Sequence, residues 1–594
     1  MTARNDTEEN AMEGVLHLLL AHCRGSLVAA AVFSAIANFL MLVPAFYMLN
    51  VYDKAIGSNS VSTLMMLSII TLAMYVGLAA MEAMRSRVLV ALGTKIDRLV
   101  GPLIYRANFD NALKVGPTHA SSRPLMDFAS LRQFLAGTGA ITIFDVPWIP
   151  IYILVMFLFH PVLGWMGVIA AFLLLSVAVV GQKLSTSALT RANVLSQKNM
   201  GVTSRQLANA EVAAAMGMLG AIEEKWKSAQ NRVGEIQETA SNQTGLSSAV
   251  IKTMRLTVQS VAIGLGALLV LQQEISPGML IAGSILVGRA LQPIEMAVGS
   301  WARFVEAKAQ YDRLRKLLGQ FDPTRDKMPL PALVGGIVAA NVSITPPGTQ
   351  TPTVRDSNFE ISPGSVCIII GPSGAGKSSL IRGLLGLWPT SGGYIRLDGA
   401  EVAQYNRSEL GPQIGYLPQD IELFSGSVSE NIARLGEIDA DDVIVAAQDA
   451  GIHDFILSLP QGYDTELGRE SGLVLSPGQQ QRLALARAMY RRPRLVILDE
   501  PNSNLDQLGE AALNRAIQVL KDLGSTVIMV SHRQGALELA DQLMLMSSGT
   551  VTDSGAPEEV LARLAHQTDG VAAKKSIGRQ PPKLNRPLVK TIPI

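Results

Sequence analysis

Long apolar runs are the feature that most constrains how this chain can fold. Residues 26–52 contain no charged side chain, and residues 57–81 contain none either. Each run exceeds the roughly 20 residues that a helix needs to cross the hydrocarbon of a bilayer. The hydrophobic fraction of 48% and the charged fraction of 17% are also unusual for a soluble protein of this length. The sequence therefore predicts an integral membrane protein.

A third apolar stretch is too long for one span. In residues 134–182 the only acidic, basic or histidine side chains are Asp145 and His160, and the His160-Pro161 pair predicts a tight turn between two helices. Two further runs flank a Ser276-Pro277-Gly278 turn. Together these runs predict a transmembrane domain over residues 1–320 with six helices, at residues 26–52, 57–81, 134–158, 162–182, 256–273 and 279–301.

The distribution of basic residues predicts how these helices are oriented. The connection from Arg85 to Arg132 and the connection between the fourth and fifth spans are rich in Lys and Arg. The three short connections contain a single lysine, Lys54. Since basic loops stay on the cytoplasmic side of a membrane, we expect the two long loops and both termini to be cytoplasmic.

The chain changes character after residue 320. Residues 321–333, FDPTRDKMPLPAL, contain three prolines and predict a linker. In residues 334–566, short β-branched runs alternate with helical patterns, which is typical of an α/β domain with a largely parallel sheet. Residues 567–594 are basic and predict a disordered tail, with attraction to a membrane surface as the alternative. The net charge of +1 offers no argument for a nucleic-acid partner, whereas membrane lipids are expected around the spans.

Residues 371–378 read GPSGAGKS and fit the phosphate-binding pattern GxxxxGK[ST]. They follow the apolar run 366–370 and precede a helical pattern, which is the strand, loop and helix order that such a site requires. In this loop, backbone N–H groups surround phosphate oxygens, Lys377 reaches the terminal phosphates and Ser378 binds Mg²⁺. The predicted nucleotide-binding residues of this loop are Gly371, Pro372, Ser373, Gly374, Ala375, Gly376, Lys377, Ser378 and Ser379.

Two acidic residues end the strand pattern LVILDE at residues 495–500. Asp499 is expected at the carboxyl edge of the sheet beside the glycine loop, where its carboxylate would hold Mg²⁺ directly or through water. Glu500 follows at once and is placed to polarise the attacking water. The alternative, two solvated acids at the end of a strand, is disfavoured by the glycine loop upstream.

A second anion site is predicted within residues 474–489, VLSPGQQQRLALARAM. Ser, Pro and Gly together mark a helix start, where the first backbone N–H groups lack partners and the helix dipole is positive. Ser476, Gly478 and Gln479 are the candidate ligands there. Pro477 fixes φ near the helical value and removes one donor.

The ordered motifs of this half resemble the nucleotide-binding domain of ABC transporters. The resemblance rests on the Lys377 loop, GYLPQD around Gln419, LSPGQQQR, LVILDE, SNLD ending at Asp506, and VSHR around His532. It implies an ATP hydrolase that uses Mg²⁺, in which Gln419 senses the metal and the attacking water, His532 contacts the γ-phosphate and Asp506 communicates across a dimer. The implied catalytic residues are Lys377, Gln419, Glu500 and His532, and the implied metal ligands are Ser378, Gln419 and Asp499.

The same resemblance implies a homodimer and shows two departures. In this family the signature motif binds ATP held by the glycine loop of an opposite domain, so a chain with one copy of each motif must pair. Pro477 replaces the first glycine of the usual LSGGQ signature, and its effect is left open. The family usually stacks adenine on an aromatic residue before the glycine loop, whereas residues 342–348, VSITPPG, offer Thr345 and no aromatic side chain.

Phrases in both halves resemble type I secretion ATPases of the protease-exporter (PrtD-like) branch. They are NVYDKAIGS at 50–58, FDVPWIPIYILVMFLFHPVLGW at 144–165 and GRALQPIEMAVGSWARFVEAKAQYDRL at 288–314. The implied fold is a six-helix ABC exporter domain joined to an α/β P-loop domain in the bacterial inner membrane. The implied function is ATP-driven export of a protein with a C-terminal signal, through a periplasmic membrane-fusion adaptor and an outer-membrane channel.

Two functions other than protein export could also join membrane spans to an ATPase domain. A lipid or small-molecule exporter remains the alternative, since it would share every ATPase residue. A regulatory channel is disfavoured because it would need a degenerate hydrolytic site, and Glu500 and His532 are both present.

Polar residues interrupt the predicted sixth span. Arg289, Gln292 and Glu295 lie on one helical face, and a charge at bilayer depth costs about 2.5 to 3.5 kcal/mol on insertion scales. We expect these side chains to face a cavity or each other, unless they lie at the cytoplasmic end of the helix and meet water. For Asp145, near the start of the third span, an interfacial position is expected.

Overall fold

The computed structural model describes residues 22–116, 121–321, 331–468, 473, 475–531 and 533–564. The chain forms two compact units. The amino-terminal unit comprises Met1–Ala112 and Ser121–Pro323, and the carboxy-terminal unit comprises Leu113–Ala120 and Thr324–Ile594. Most of the predicted linker 321–333 and all of the predicted tail 567–594 lie outside the described residues.

The amino-terminal unit is helical. Its helices are α1 His22–Ile56, α2 Val61–Val115, α3 Arg123–Phe159, α4 Pro161–Ala208, α5 Ala210–Ala215, α6 Leu219–Leu271, α7 Pro277–Gly299 and α8 Trp301–Gly319. Across the described ranges, α1 to α4, α6 and α7 are the six helices that are long and apolar enough to cross a membrane. The predicted number of spans is therefore confirmed.

The helix bounds differ from the apolar windows. Helices α2, α4 and α6 have 55, 48 and 53 residues. At about 1.5 Å per residue, each is more than twice as long as the roughly 30 Å of bilayer hydrocarbon. The windows capture only part of each helix, because hydropathy falls where charges begin while the backbone hydrogen bonds continue. Helix α2 begins at Val61 and not at residue 57, and α7 ends at Gly299 and not at residue 301.

Proline marks two helix starts, as the sequence predicts. Helix α4 begins at Pro161, and His160 before it is extended, with φ −164° and ψ 138°, which is the conformation favoured before proline. Helix α7 begins at Pro277, where the Ser276 hydroxyl oxygen accepts a hydrogen bond from the Met279 N–H at 3.1 Å. Both turns are therefore set by the local sequence.

A buried polar cluster joins α1, α2 and α3. Asp145 Oδ1 accepts hydrogen bonds from Asn38 Nδ2 at 2.8 Å and from Arg85 Nη1 at 3.2 Å. The Tyr152 hydroxyl donates to the Asn38 backbone carbonyl at 2.9 Å. Asp145 is 7% exposed, so its carboxylate meets these side chains and not water, while its expected interfacial position stays a prediction. Its side chain is enclosed by protein, where the ion pair and hydrogen bonds offset the loss of hydration.

Polar contacts join the connection between α6 and α7 to the end of α1 and to the turn between α3 and α4. Asp53 is the acidic residue of the phrase NVYDKAIGS and lies near the end of α1. Its Oδ2 accepts a hydrogen bond from the Ser276 hydroxyl at 2.5 Å, and its Oδ1 accepts one from the Gly278 N–H at 2.9 Å. His160 Nε2 lies 3.1 Å from Glu274 Oε2. These contacts give the acidic residue of that sequence phrase a structural role.

The carboxy-terminal unit is an α/β domain. Its strands are β1 Ile337–Ile344, β2 Val354–Ile361, β3 Val366–Ile370, β4 Thr390–Leu397, β5 Ala400–Glu401, β6 Ile414–Leu417, β7 Gly426–Ser427, β8 Glu466–Leu467, β9 Leu495–Asp499, β10 Thr526–Val530, β11 Gln542–Ser547 and β12 Thr550–Gly555. Its described helices are α9 Lys377–Leu384, α10 Arg407–Leu410, α11 Val428–Ile432, α12 Ala440–Asp449, α13 His453–Leu457, α14 Pro477–Met489, α15 Gln507–Asp522, α16 Gln534–Leu537 and α17 at 557–564.

The main sheet has the strand order β12-β11-β3-β10-β9-β6. Strands β11, β3, β10, β9 and β6 are parallel, and β12 pairs with β11 antiparallel. The prediction of a largely parallel sheet is therefore confirmed. An antiparallel sheet of order β2-β1-β4-β5 accompanies it. Because parallel strands share a direction, the loops that follow β3, β10, β9 and β6 meet at one edge of the main sheet.

The core on both faces of the sheet holds this edge in place. In β3, Val366 and Ile368 belong to one buried apolar cluster, while Cys367 and Ile369 belong to the other. Side chains of a strand alternate between faces, so a strand that is covered on both sides appears in the sequence as one continuous apolar run.

Candidate functional site

The glycine loop, residues 371–378, connects β3 to α9. Gly376 has φ +98°, and a Cβ there would lie 2.8 Å from the carbonyl oxygen of Thr353. This left-handed conformation and this close approach both require glycine. The loop backbone can therefore lie close around a group of the size of a phosphate, with its N–H groups as donors.

The Lys377 side chain lies inside this loop. It is 6% exposed, and Nζ donates to the carbonyl oxygens of Gly371 at 2.9 Å and Pro372 at 3.0 Å. An ammonium group has three N–H donors, so one remains for a phosphate oxygen. Because Lys377 is also the first residue of α9, the positive end of the helix dipole adds to its charge.

Ser378 and Asp499 form the candidate metal site. Ser378 Oγ donates to Asp499 Oδ1 at 3.4 Å, and Asp499 is 2% exposed at the end of β9. Burial raises the pKa of the Asp499 carboxyl, while the hydrogen bond from Ser378 lowers this pKa and the charge of Glu500 raises it.

A hydroxyl and a carboxylate are hard oxygen ligands that suit Mg²⁺, which usually keeps several waters and binds substrate phosphates as well. No group of three or more His, Cys, Asp or Glu in the described ranges could hold a metal alone. The residues present therefore fit Mg²⁺ bound together with a nucleotide, and not a closed protein site.

Glu500 occupies an unusual backbone position at the sheet edge. Its φ is +53°, which is uncommon for a residue other than glycine, and strained backbone of this kind is enriched at functional sites. Its N–H donates to the Val530 carbonyl at 3.2 Å, and its Oε2 accepts from Gln419 Nε2 at 3.3 Å. The loops after β9 and β6 thus bring these two predicted residues into contact, while their roles in hydrolysis stay predictions.

Helix α14 begins where the sequence predicts. The Ser476 hydroxyl oxygen accepts from the Gln479 N–H at 3.3 Å, and Gln479 Oε1 accepts from the Ser476 N–H at 2.8 Å. This reciprocal pair is a capping box. Pro477 occupies the first helical position, where its missing N–H leaves no intrahelical bond unmade. The Ser476 hydroxyl hydrogen is still available for an anion.

Gln481 connects α14 to Glu500, and sequence reasoning missed it. Its side chain is 2% exposed. Its Nε2 donates to the carbonyl oxygens of Glu500, at 3.4 Å, and of Pro501, and its Oε1 accepts from the Asn504 N–H at 3.1 Å. A signal was present, because Gln481 shares the apolar face of the helix. The residues three, four and seven positions further on are Ala484, Leu485 and Ala488.

Arg434 joins the carboxyl end of α14 to β6 through hydrogen bonds. Sequence reasoning also missed this residue. Its guanidinium donates to five backbone carbonyls: Nε to Arg487 at 3.0 Å, Nη1 to Gly411 and Ile414 at 2.9 Å, and Nη2 to Ala488 at 3.1 Å and Tyr490 at 3.4 Å. Burial lowers the pKa of Arg434 to about 10, so the group stays charged at neutral pH. Since β6 leads to Gln419 and α14 starts after Ser476, Arg434 sets the spacing of two elements that carry predicted site residues.

Three further positions named in the sequence analysis gain no contact that tests a role at the nucleotide. Asp506 is the N-cap of α15 and accepts from the Gly509 N–H at 2.7 Å. The Thr345 hydroxyl donates to Ser391 Oγ at 3.0 Å. His532 lies outside the described residues. The dimer role of Asp506 and the phosphate contact of His532 therefore stay predictions.

Comparison with known proteins identifies the family. A profile described as ABC transporter transmembrane region matches residues 27–292, and one described as ABC transporter matches residues 354–503. The type I secretion system ATP-binding protein PrsD of Rhizobium meliloti (strain 1021) is 39% identical over 546 residues, which cover 92% of this chain and 94% of that protein. This chain is an ABC transporter of the type I secretion family.

A second relative agrees with this ABC transporter assignment, and one solved structure shares the fold. The cyclolysin secretion/processing ATP-binding protein CyaB of Bordetella pertussis is 31% identical over 550 residues, covering 89% of this chain and 75% of that protein. A bacterial Atm1-family ABC exporter with ATP bound has a TM-score of 0.82 at 20% identity, covering 95% of this chain and all of that one. The ABC transporter is thus a multi-pass membrane protein with an ATP-hydrolysing domain.

Proposed function

We propose that this ABC transporter exports a protein from the cytoplasm as the inner-membrane ATPase of a type I secretion system. The observation that carries the proposal is the 39% identity to PrsD, because the match extends over both units of the chain. The partners would be a periplasmic membrane-fusion adaptor, an outer-membrane channel and a secreted protein with a C-terminal signal. The basic long loops support a cytoplasmic location for the ATPase domain and both termini.

Residues at the edge of the main sheet would carry out hydrolysis. The N–H groups of the glycine loop and the Lys377 ammonium bind the phosphates, and Glu500, in contact with Gln419, orients the attacking water. His532 contacts the γ-phosphate. Ser378, Asp499 and Gln419 would hold Mg²⁺, which supplies positive charge to the phosphates when it is bound.

The transporter would act as a homodimer, because the chain has one copy of each motif. Ser476, Gly478 and Gln479 would bind the γ-phosphate held by the glycine loop of a second copy. This arrangement is tested by mixing Lys377→Ala and Ser476→Ala variants in one membrane preparation. A mixed dimer then has one site with both defects and one intact site, so ATPase activity should exceed that of either variant alone. Activity that does not change on mixing would contradict the shared site.

Export is tested in cells that lack the gene. The deletion strain receives the wild-type gene, the Lys377→Ala gene or an empty vector, and mass spectrometry compares the proteins in the medium and the lipids of the outer membrane. We expect at least one protein to disappear from the medium and to return only with the wild-type gene. An unchanged set of secreted proteins with an altered lipid composition would overturn protein export and support lipid export.

A further inference from the structure

A polar cavity lies between α6 and α7 in the amino-terminal unit. Its volume is about 390 Å³, and its polar lining comes from Arg255 and Gln259 on α6 and from Arg289, Gln292 and Glu295 on α7. This volume is within the range of about 300 to 1,000 Å³ that is usual for ligand sites. The cavity can therefore hold a few side chains of a chain in transit, and not a folded domain.

The charges that line the cavity do not cancel. Arg255 Nε donates to Glu295 Oε2 at 2.8 Å, so these two residues form an ion pair. Arg289 Nη1 donates to the neutral Gln292 Oε1 at 3.1 Å and lies 3.9 Å from Met41 Sδ. Across the described residues, Arg289 forms no ion pair. Because a guanidinium has five N–H donors, most donors of Arg289 are left for a ligand.

Arg289 also lies deep along a membrane-spanning helix. It is about 18 Å along α7 from Pro277, at about 1.5 Å per residue, and the hydrocarbon of a bilayer is about 30 Å thick. Arg289 is therefore near the middle of α7, which has the length of one span, and not at either end of the helix. An unpaired charge at this depth is costly and marks a site of binding or transport.

We propose that the cavity beside Arg289 binds carboxylate groups of the exported polypeptide as it passes through the membrane. This inference rests on the proposed function in protein export. The planar guanidinium matches the two oxygens of a carboxylate. Gln259 and Gln292 offer neutral donors and acceptors for the amide groups of an extended backbone. The carboxylate can come from Asp and Glu side chains or from the carboxyl terminus of the polypeptide, and the experiment separates these sources.

The test uses the full-length protein in phosphatidylcholine nanodiscs and three ten-residue peptides labelled with an uncharged BODIPY dye. The first peptide contains several Asp residues and has an amidated end, the second has Asn at those positions and a free carboxyl end, and the third has Asn and an amidated end. Anisotropy measures the Kd of each. The wild-type protein should bind one or both carboxylate peptides about tenfold more tightly than the third peptide. The peptide that gains affinity identifies the source of the carboxylate.

Three variants assign this preference to the cavity. Arg289→Gln should abolish the preference, and Arg289→Lys should keep part of it because the charge remains. Lys252→Gln is the matched control, since Lys252 is an exposed cation on the same helix as Arg255 and does not line the cavity. It should bind the peptides as the wild type does. Binding of a fluorescent ATP analogue shows that each variant is folded.

Several results would overturn the proposal. Equal affinities of the wild type for the three peptides would do so, as would a preference that survives in Arg289→Gln. Loss of the preference in phosphatidylglycerol nanodiscs would mean that the site binds lipid phosphate. Protein export itself is judged by the secreted proteins of the deletion strain, so that proposal can fail or stand independently of the peptide result.

Discussion

Replacing Arg434 with Met should loosen the carboxyl end of α14. Three of the five hydrogen bonds that the guanidinium donates end on the carbonyls of Arg487, Ala488 and Tyr490. Met retains an unbranched apolar stem but has no donor. A hydrogen bond from a charged group contributes about 1.5 to 3 kcal/mol. Since bonds from one group are not additive, we expect a loss of roughly 3 kcal/mol for the three together.

Hydrogen exchange of the full-length protein in nanodiscs measures this loss locally. A change of 1.4 kcal/mol corresponds to a factor of about ten, so amides near residues 487–492 should exchange about 10²-fold faster. Arg434→Lys should lie between Met and the wild type, because an ammonium can reach only some of the five carbonyls. The reasoning would be refuted if exchange in Arg434→Met stayed within about threefold of the wild type.

A neighbouring arginine provides the control for this prediction. Arg491 Nε lies 3.4 Å from Asp442 Oδ2, and the two side chains are 49% and 45% exposed. Exposed ion pairs contribute about 0 to 1 kcal/mol. Arg491→Met should therefore change exchange in the same peptide by less than about fivefold. An equal effect of the two variants would mean that loss of charge, and not loss of the carbonyl contacts, loosens the helix.

Three further predictions concern the ATPase domain. Glu500→Gln should retain ATP in filter-binding assays and release phosphate about 10² to 10⁴ times more slowly, and near-normal turnover would remove its proposed role. Pro477→Gly should change the KM for ATP less than about threefold, because the Ser476–Gln479 capping box remains. The glycine adds conformational entropy to the unfolded chain, which is worth only about 0.4 to 1 kcal/mol. A larger change would mean that the proline sets how a dimer closes. Burial disfavours the thiolate form of Cys367 and raises the pKa of this thiol to about 12. In a Cys23→Ala background, iodoacetamide should therefore label the unfolded protein at pH 9 but not the native protein. Rapid labelling of the native protein at pH 8 would contradict this burial.

Features that depend on neighbouring residues could be predicted from the sequence. The six spans follow from continuous apolar runs, and the turns at His160-Pro161 and Ser276-Pro277 follow from the backbone restrictions of proline. The glycine loop and the start of α14 follow in the same way, since glycine conformations and helix caps involve only a few successive residues. Helix length could not be predicted by hydropathy, because backbone hydrogen bonds in α2 and α6 continue after the apolar side chains end.

The sequence by itself determined two features of this protein. The apolar runs determined that it is a membrane protein, and the order of the motifs determined that it has a nucleotide-binding domain. Only the tertiary structure decided which polar residues meet. Gln419 and Glu500 are 81 positions apart and are brought together by the strand order β9-β6, and Asn38 meets Asp145 across 107 positions. The partners of Gln481 and Arg434 likewise depend on how helices and strands pack. A sequence motif specifies the chemistry of a side chain, whereas its partner is selected by long-range packing, which no local pattern encodes.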